Sequence, residues 1–196
     1  MKIGVIAIQG NVTEHVRALE RTFAEQGVDG EIIRIRQSGL VPDCDAIVLP
    51  GGESTTLARL IWQEGIAAEI RSAVRSGVPV LGTCAGLVLL AKDGDDQITR
   101  TKQHLLGLMD IEVKRNAFGR QCDSFETSID IPVIGGLFPA VFIRAPAIVR
   151  CGEGVSVLAR FGEYMVAAQQ DNMLALAFHP EMVADTRLHH YFMNMI

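Results

Sequence analysis

The sequence predicts an α/β fold, in which an open, mostly parallel sheet carries helices on both faces and gains antiparallel strands in the second half of the chain. Two observations predict it. Up to residue 92, apolar runs of strand length alternate with segments whose apolar residues recur at helical spacing. Beyond Asp93, strand-like runs follow one another without helices until residue 186. The first pattern is typical of a parallel sheet covered by helices, and the second of antiparallel strands.

The individual elements follow from these patterns. In the first half, strands are predicted at residues 3–8, 31–36, 46–49 and 78–81, with helices at residues 12–23, at about 55–76 and at about 85–92. In the second half, strands are predicted at residues 107–114, 124–131, 141–144, 147–151, 156–161, 164–169 and 173–178, before a last helix at 186–195. Residues 94–101 are polar and are predicted to form a mobile loop.

Composition limits the classes of protein that the chain can be. With 196 residues and 48% hydrophobic content, one domain over residues 1–196 is expected. The net charge of −5 comes without a basic patch, so no nucleic-acid partner is expected. The N-terminus lacks a signal-peptide pattern, and no apolar run reaches the roughly 18 residues of a spanning helix, so we expect no membrane partner and a cytoplasmic location. The four cysteines form no C-x-x-C pair, which argues against a zinc site.

One cysteine lies where a strand is predicted to turn directly into a helix. Residues 82–86 read G-T-C-A-G, the thiol counterpart of the nucleophile elbow G-x-S-x-G. Glycines two positions either side would let the strand and helix pass closely, while Cys84 projects from the carboxyl edge of the sheet in a strained conformation. Two interpretations follow: Cys84 is a reactive nucleophile, or it is a small buried core residue, as free cysteines often are.

A thiol nucleophile needs a base, and His179 is the best placed of the five histidines. It follows the apolar run 174–178, so it lies where a buried strand ends, and such edges collect functional sites in open parallel sheets. In an extended H-P-E segment, Glu181 would point the same way and fix the imidazole tautomer. The alternative is a strand-end histidine bonded to a backbone carbonyl. His104, His189 and His190 are predicted to be surface residues.

A third loop, L-P-G-G-E-S-T-T at residues 49–56, also joins a strand to a helix. Gly51 and Gly52 leave backbone N–H groups free to face a ligand, and Ser54 or Thr55 could cap the helix that follows. Alone, this loop could be an ordinary turn.

Together, residues 50–54 (P-G-G-E-S), 82–86 and 179–181 (H-P-E) resemble the triad glutamine amidotransferases, which are cysteine glutaminases of flavodoxin-like fold. Four further segments are similar to one branch of that family, the glutaminase subunits of pyridoxal 5′-phosphate synthase. They are residues 9–15 (Q-G-N-V-T-E-H), 115–121 (R-N-A-F-G-R-Q), 124–126 (S-F-E) and 142–146 (F-I-R-A-P). The resemblance runs over residues 7–181.

The resemblance implies roles for particular residues. Cys84 is the nucleophile, His179 the base and Glu181 its orienting carboxylate. Backbone N–H groups at Gly51, Gly52 and Ala85 hold the oxyanion, while L-glutamine is contacted by a set that comprises Gly52, Glu53, Ser54, Arg115, Ile143 and Arg144. The substrate carboxylate could be held by Arg115 or Arg144, and Arg144 could act through its backbone. Hydrolysis through a Cys84 thioester needs no metal or cofactor.

The resemblance also implies a partner, the synthase subunit that accepts the ammonia. The segment that opens the first helix would contact this partner or transmit activation, through Gln9, Gly10, Asn11, Glu14 and His15. The alternative is that Asn11 or Thr13 caps the helix and His15 is solvated.

Other functions stay open on sequence alone. The chain could be a glutaminase serving another ammonia-using synthase. It could be a DJ-1-like cysteine hydrolase, although Ala85 occupies the place where such proteins carry a histidine. It could also be a non-catalytic flavodoxin-like module that binds phosphate at Gly51 and Gly52, an interpretation that gives His179 and Glu181 no role.

Overall fold

A computed structural model describes residues 1–118 and 124–196. Ten of the strands in these residues form one mixed sheet, and two form a separate hairpin. The motif residues 119–121 and Cys122 lie outside the described part. The strand order is β2-β1-β3-β4-β12-β11-β9-β6-β5, with β10 beside β11, and β7 pairs with β8 in a separate hairpin. The strand bounds are β1 Lys2–Ile6, β2 Glu31–Ile35, β3 Ala46–Leu49, β4 Val80–Thr83, β5 Ala91–Gly94, β6 Met109–Lys114, β7 Ser124–Ile131, β8 Gly136–Ile143, β9 Ala147–Cys151, β10 Ser156–Phe161, β11 Tyr164–Gln170 and β12 Met173–Leu176.

The predicted division into two halves is confirmed. Strands β2, β1, β3, β4 and β12 are mutually parallel, whereas β11 runs antiparallel to its neighbours β12, β9 and β10. The central strands β3, β4 and β12 are buried along their whole length, as the apolar runs in the sequence require.

Six α-helices accompany the described strands. Their bounds are α1 Val12–Gln26, α2 Ser54–Gln63, α3 Ile66–Arg75, α4 Ala85–Leu90, α5 Asp96–Thr101 and α6 Arg187–Met193. The chain moves outward from β1 to β2 through α1, and in the opposite direction from β3 to β4 through α2 and α3. Because such crossovers are right-handed, these helices lie on opposite faces of the sheet. No described helix combines the length and apolar character needed to cross a membrane.

Four elements differ clearly from the sequence-based expectation. The strand predicted over residues 141–144 is β8, which begins at Gly136 and ends at Ile143, because it pairs with β7 along its whole length. The helix predicted over residues 55–76 is two helices, because Gly65 adopts a left-handed conformation (φ 76°) between α2 and α3. The helix predicted to continue to residue 92 ends at Leu90, and β5 pairs with β6. The loop predicted over residues 94–101 contains α5, which Asp95 caps by accepting from the N–H groups of Gln97 and Ile98.

Candidate active site

Cys84 occupies a sharp turn between β4 and α4. Its backbone has φ 49° and ψ −102°, and its N–H donates to the carbonyl of Leu176 at 2.8 Å. A Cβ on Gly86 would overlap the carbonyl oxygen of Leu49, and one on Gly82 would lie 2.8 Å from the backbone of Gly86. Both glycines are therefore needed where strand and helix pass each other, as the elbow pattern predicts. The thiol side chain is 8% exposed and lies at the edge of a cleft.

His179 and Glu181 lie together next to Cys84. Nδ1 of His179 is 2.7 Å from Oε1 of Glu181, and the two side chains are almost fully buried. The expected extended H-P-E segment is wrong, because Pro180–Met182 forms a 3-10 turn, which nevertheless brings the carboxylate back to the ring. Gly51 packs against both His179 and Cys84. A Cβ added at Gly51 would overlap Cε1 of His179 and lie 3.3 Å from Cβ of Cys84.

The surroundings of His179 and Glu181 favour the charged form of both side chains. Burial lowers the pKa of His179, but the adjacent Cys84 side chain, the hydrogen bond to Glu181 and the charge of the Glu181 carboxylate outweigh this and raise the pKa to about 10. Burial raises the pKa of Glu181, but the hydrogen bond and the positive charge of His179 outweigh this and lower the pKa. His179 is accordingly protonated at neutral pH, the form that can donate a proton.

The opening segment of α1 reaches into this site. The amide of Asn11 donates to Oε1 of Glu181 at 3.3 Å and lies 3.2 Å from Nδ1 of His179. Asn11 stands at the N-cap position, but its side chain makes no capping bond. His15 is fully buried, 3.0 Å from Oγ1 of Thr83 and 3.5 Å from Oε2 of Glu181. The alternative that His15 is solvated is therefore wrong, and the ring has no surface with which to contact a partner.

A cleft of about 310 Å³ opens in front of Cys84 and His179. Seven of the sequence-predicted substrate residues line it, namely Gly52, Glu53, Ser54, Ala85, Arg115, Ile143 and Arg144. The carbonyl of Ile143 lies 4.0 Å from Sγ of Cys84. Gly51 packs against the ring of His179, and the side chains of Glu181 and His15 are fully buried.

Arg115 is fixed in the cleft by neighbours that precede it in the chain. Its guanidinium donates to Oγ1 of Thr55 at 3.2 Å, to Oε1 of Gln103 at 3.2 Å and to Oε1 of Glu53 at 3.4 Å. Glu53 is also the N-cap of α2, since its carboxylate accepts from the N–H groups of Thr55 and Thr56. The prediction that Ser54 or Thr55 caps this helix is wrong, and Ser54 begins the helix instead.

Backbone groups near Cys84 are suited to bind an oxyanion. The carbonyl of Gly51 accepts from the N–H of Asn11 at 3.2 Å. Because the C=O and N–H of a trans peptide point in opposite directions, the N–H of Gly52 faces away from Asn11. Ala85 is the first residue of α4, so its N–H has no intrahelical acceptor. The side chain of Gln9 steadies the loop by accepting from the N–H of Glu53 at 3.2 Å.

The remaining histidines divide between interior and surface. His189 is fully buried, so its predicted surface position is wrong. It lies on α6, which packs against α1. His104 is exposed and stacks on the ring of Trp62, and His190 is part-buried beside Glu25 at 2.9 Å.

Sequence reasoning missed several residues of the site. Val88, Asn116 and Pro146 line the cleft, and Gln103 anchors Arg115. Asn116 and Pro146 lie inside segments that the motifs already marked, whereas Gln103 follows a predicted loop and no signal marked it. Within residues 1–118 and 124–196, no group of three His, Cys, Asp or Glu side chains is arranged to hold a metal ion.

Comparison with known proteins identifies the family. The model of the SNO glutamine amidotransferase family matches residues 5–196. The pyridoxal 5′-phosphate synthase subunit PdxT of Methanosarcina acetivorans is 59% identical over 196 residues, which cover 100% of this chain and 98% of the relative. The subunit of the same name from Archaeoglobus fulgidus is 52% identical over 195 residues, with 100% and 98% coverage.

Solved structures agree with the fold. The crystal structure of a glutamine amidotransferase superposes with a TM-score of 0.88 at 42% identity, covering 98% of this chain and 97% of that one. PurLQS from Thermotoga maritima, at 18% identity, shares the fold with a TM-score of 0.69 over 98% of this chain and 97% of that chain. The resemblance inferred from the motifs is thus confirmed, and the chain belongs to the SNO glutamine amidotransferase family.

Proposed function

We propose that the chain hydrolyses L-glutamine to glutamate and ammonia, and that the ammonia passes to a synthase subunit that makes pyridoxal 5′-phosphate. One observation carries the proposal: Cys84 and His179 share the wall of one cleft, with Glu181 hydrogen-bonded behind the imidazole. The family supports glutamine as the substrate, and relatives named as pyridoxal 5′-phosphate synthase subunits support the destination of the ammonia.

The chemistry assigns one role to each group. The Cys84 thiolate attacks the side-chain amide carbon of glutamine, and the resulting oxyanion is held by the N–H groups of Gly52 and Ala85. The C–N bond then breaks while His179 donates a proton to the departing nitrogen, which leaves as ammonia. A γ-glutamyl thioester remains on Cys84. Water, deprotonated by His179, attacks that thioester, and the C–S bond then breaks, which releases glutamate and restores the Cys84 thiolate beside protonated His179. Neither step uses a metal or cofactor.

Opposite charges in the cleft suit the two ends of an amino acid. Glu53 is half-exposed there and is positioned to bind the α-ammonium group, while the guanidinium of Arg115 is positioned to bind the α-carboxylate. The backbone carbonyl of Ile143, near Sγ of Cys84, is positioned to accept from the side-chain NH₂ of the substrate. The side chain of Arg144 is exposed, whereas the carbonyl of Ile143 before it lies 4.0 Å from Sγ of Cys84. We infer that this pair acts through its backbone.

We infer that the synthase docks over the start of α1. Gln9, Asn11 and Glu14 are partly exposed and Gly10 is exposed, so these residues can contact a partner directly. Asn11 then reaches from that surface to His179 and Glu181, while Gln9 reaches the loop that carries Gly52. Docking can thereby change the oxyanion loop and the triad together.

Two measurements on the same samples test the proposal. A glutamine-analogue affinity label should add one equivalent of mass to the wild-type chain and none to Cys84→Ala. Glutamate formation from glutamine should be low for the chain alone and should rise when the synthase subunit is added. Labelling that survives in Cys84→Ala would refute the glutaminase chemistry. Equal rates with and without the synthase would refute the activating partner.

A further inference from the structure

A buried histidine that the reaction does not use lies behind the triad. His15, on α1, places Nε2 3.0 Å from Oγ1 of Thr83, the residue before the nucleophile, and 3.5 Å from Oε2 of Glu181. Both the imidazole and the carboxylate side chain are 0% exposed. One ring therefore touches the elbow strand and the orienting carboxylate at the same time.

The two oxygens of Glu181 differ in their surroundings. Oε1 faces Nδ1 of His179 at 2.7 Å and the amide of Asn11 at 3.3 Å. Oε2 has no hydrogen-bond partner among the described residues. Nε2 of His15 lies 3.5 Å from it. A buried carboxylate oxygen requires a donor, because burial removes the water that would otherwise supply one.

The proton on His15 can be assigned from its neighbours. Nδ1 is buried and has no partner in the described part of the chain, whereas Nε2 faces two oxygens. Burial lowers the pKa of His15, so the ring is neutral and carries a single N–H. That proton is most favourable on Nε2, between the hydroxyl of Thr83 and the carboxylate of Glu181.

We propose that His15 is a positioning residue of this active site, whose neutral Nε2–H faces Oε2 of Glu181 and fixes the carboxylate in the orientation that aims His179 at Cys84. The inference rests on the proposed catalytic roles of His179 and Glu181. It gives α1 a second link to the reaction, inside the protein and separate from the exposed start of the helix.

His189 provides a matched control within the same cluster. It is equally buried, and its ring centroid lies 6.4 Å from that of His15, edge to face. Both its nitrogens lack hydrogen-bond partners within the described ranges. Replacing either histidine by leucine removes a buried ring, but only the change at residue 15 removes the N–H that faces Oε2 of Glu181.

The kinetic test compares His15→Leu, His15→Gln and His189→Leu with the synthase subunit at saturating concentration. His15→Leu should lower kcat at least about tenfold with KM within about twofold, since a tenfold change corresponds to about 1.4 kcal/mol of transition-state stabilisation. His15→Gln keeps an N–H donor and should recover part of the loss. His189→Leu should stay within about twofold of wild type. A folded His15→Leu with wild-type kcat, or an equal loss in His189→Leu, would overturn the proposal.

A second measurement needs neither turnover nor a variant that folds. Nitrogen-15 NMR of the wild-type chain in complex with its synthase distinguishes the two imidazole tautomers. The proton of His15 should reside on Nε2, and a proton on Nδ1 would overturn the proposal. Because this readout is independent of glutamine hydrolysis, failure of the proposed function and failure of the positioning role give different results.

Discussion

Cys84 is held in a backbone conformation that non-glycine residues adopt only under restraint. Such conformations cost about 1–3 kcal/mol and persist where the surroundings impose them. The surroundings here are the close passage of Gly86 against Leu49 and the bond from the Cys84 N–H to Leu176. The sulfur is thus aimed by packing of the strands and α4, and small changes in that packing should alter the reaction.

Gly51 permits the first prediction at this scale. In Gly51→Ala the new Cβ would overlap the ring of His179, which Glu181 holds from the other side. The ring must move away from Cys84, and a misplacement of about 1 Å can lower a rate by about 100-fold. We expect kcat for glutamine hydrolysis to fall by about that factor while the chain remains folded by circular dichroism.

Gly162→Ala is the control for this change. Gly162 lies in the turn between β10 and β11, with φ 58° and no atom within 4 Å of an added Cβ. It should cost backbone strain, at about 1 kcal/mol of stability, and leave kcat unchanged. Normal turnover in Gly51→Ala would mean that His179 and Cys84 do not pack against Gly51 in the working enzyme.

The sequence predicted the reacting side chains better than the residues that hold them in place. Cys84, His179 and Glu181 lie in short motifs whose chemistry can be inferred from residue type and spacing. The contacts of His15, Asn11 and Gln103 depend on which distant strands and helices meet, so local patterns carry little information about them. His189 shows the same limit: its helix is too short for spacing to distinguish the buried from the exposed side.

At the scale of elements, residues 9–15 connect the three loops that carry the motifs. The N–H of Asn11 bonds the carbonyl of Gly51, its side chain reaches Glu181, and His15 reaches Thr83. Gly10 lies so close to Gly51 that any Cβ there would overlap the Gly51 carbonyl oxygen. The start of α1 is therefore part of the active site and is open to solvent on its other side.

Asn11 contacts the triad and is also partly exposed to solvent, which leads to a prediction for Asn11→Ala. Loss of a hydrogen bond to a buried charged group costs about 1.5–3 kcal/mol, so kcat at saturating synthase should fall roughly tenfold or more. Titration with the synthase subunit separates the two roles of Asn11: a role in bracing the triad lowers the plateau, whereas a role in docking raises the half-saturating concentration. We expect the lower plateau.

Thr13→Ala is the matched control, because Thr13 is exposed on the first turn of the same helix and makes no contact with the triad in the described structure. It should leave the plateau unchanged. An Asn11→Ala plateau equal to wild type would argue against bracing.

Element boundaries were predictable where turn signals were sharp. The strands β7, β9 and β10 have the predicted limits, and each is followed within four residues by a glycine, at residues 135, 152 and 162. The break between α2 and α3 at Gly65 was missed, because a single glycine within a helical pattern is usually tolerated. Helix α5 was missed because its stability comes from the Asp95 cap and the burial of Ile98, the one apolar side chain of a polar segment.

For the whole molecule, sheet order explains why the site forms where it does. Strands β1, β3, β4 and β12 are parallel neighbours, and their carboxyl ends lead to Gln9, Gly51, Cys84 and His179 in that order. Ligands in open α/β sheets bind outside such ends. The antiparallel half adds Arg115 after β6 and Ile143 at the end of β8. The parallel half thus supplies the reacting groups together with Gly52 and Glu53, and the antiparallel half adds further substrate contacts.

The buried histidines also affect the stability of the whole fold. Burial lowers the pKa of His189 to about 3, while its unfolded value is near 6.5. Between these values the unfolded chain binds a proton at this residue and the folded chain does not. The contribution of His189 to stability is therefore present above pH 6.5 and is lost as the pH falls toward 3, at up to about 1.4 kcal/mol per pH unit.

His189→Leu should remove this acid sensitivity. The free energy of unfolding, measured in urea from pH 7 to pH 4, should fall less steeply for the variant than for wild type, so the variant gains relative stability as the medium becomes more acidic. His15 and Glu181 remain in both proteins, so the difference between the two slopes reports the removal of His189. The exposed His104 supplies the control: His104→Ala should follow the wild-type slope. Parallel curves for His189→Leu and wild type would mean that His189 gains its proton in the folded chain as readily as in the unfolded one.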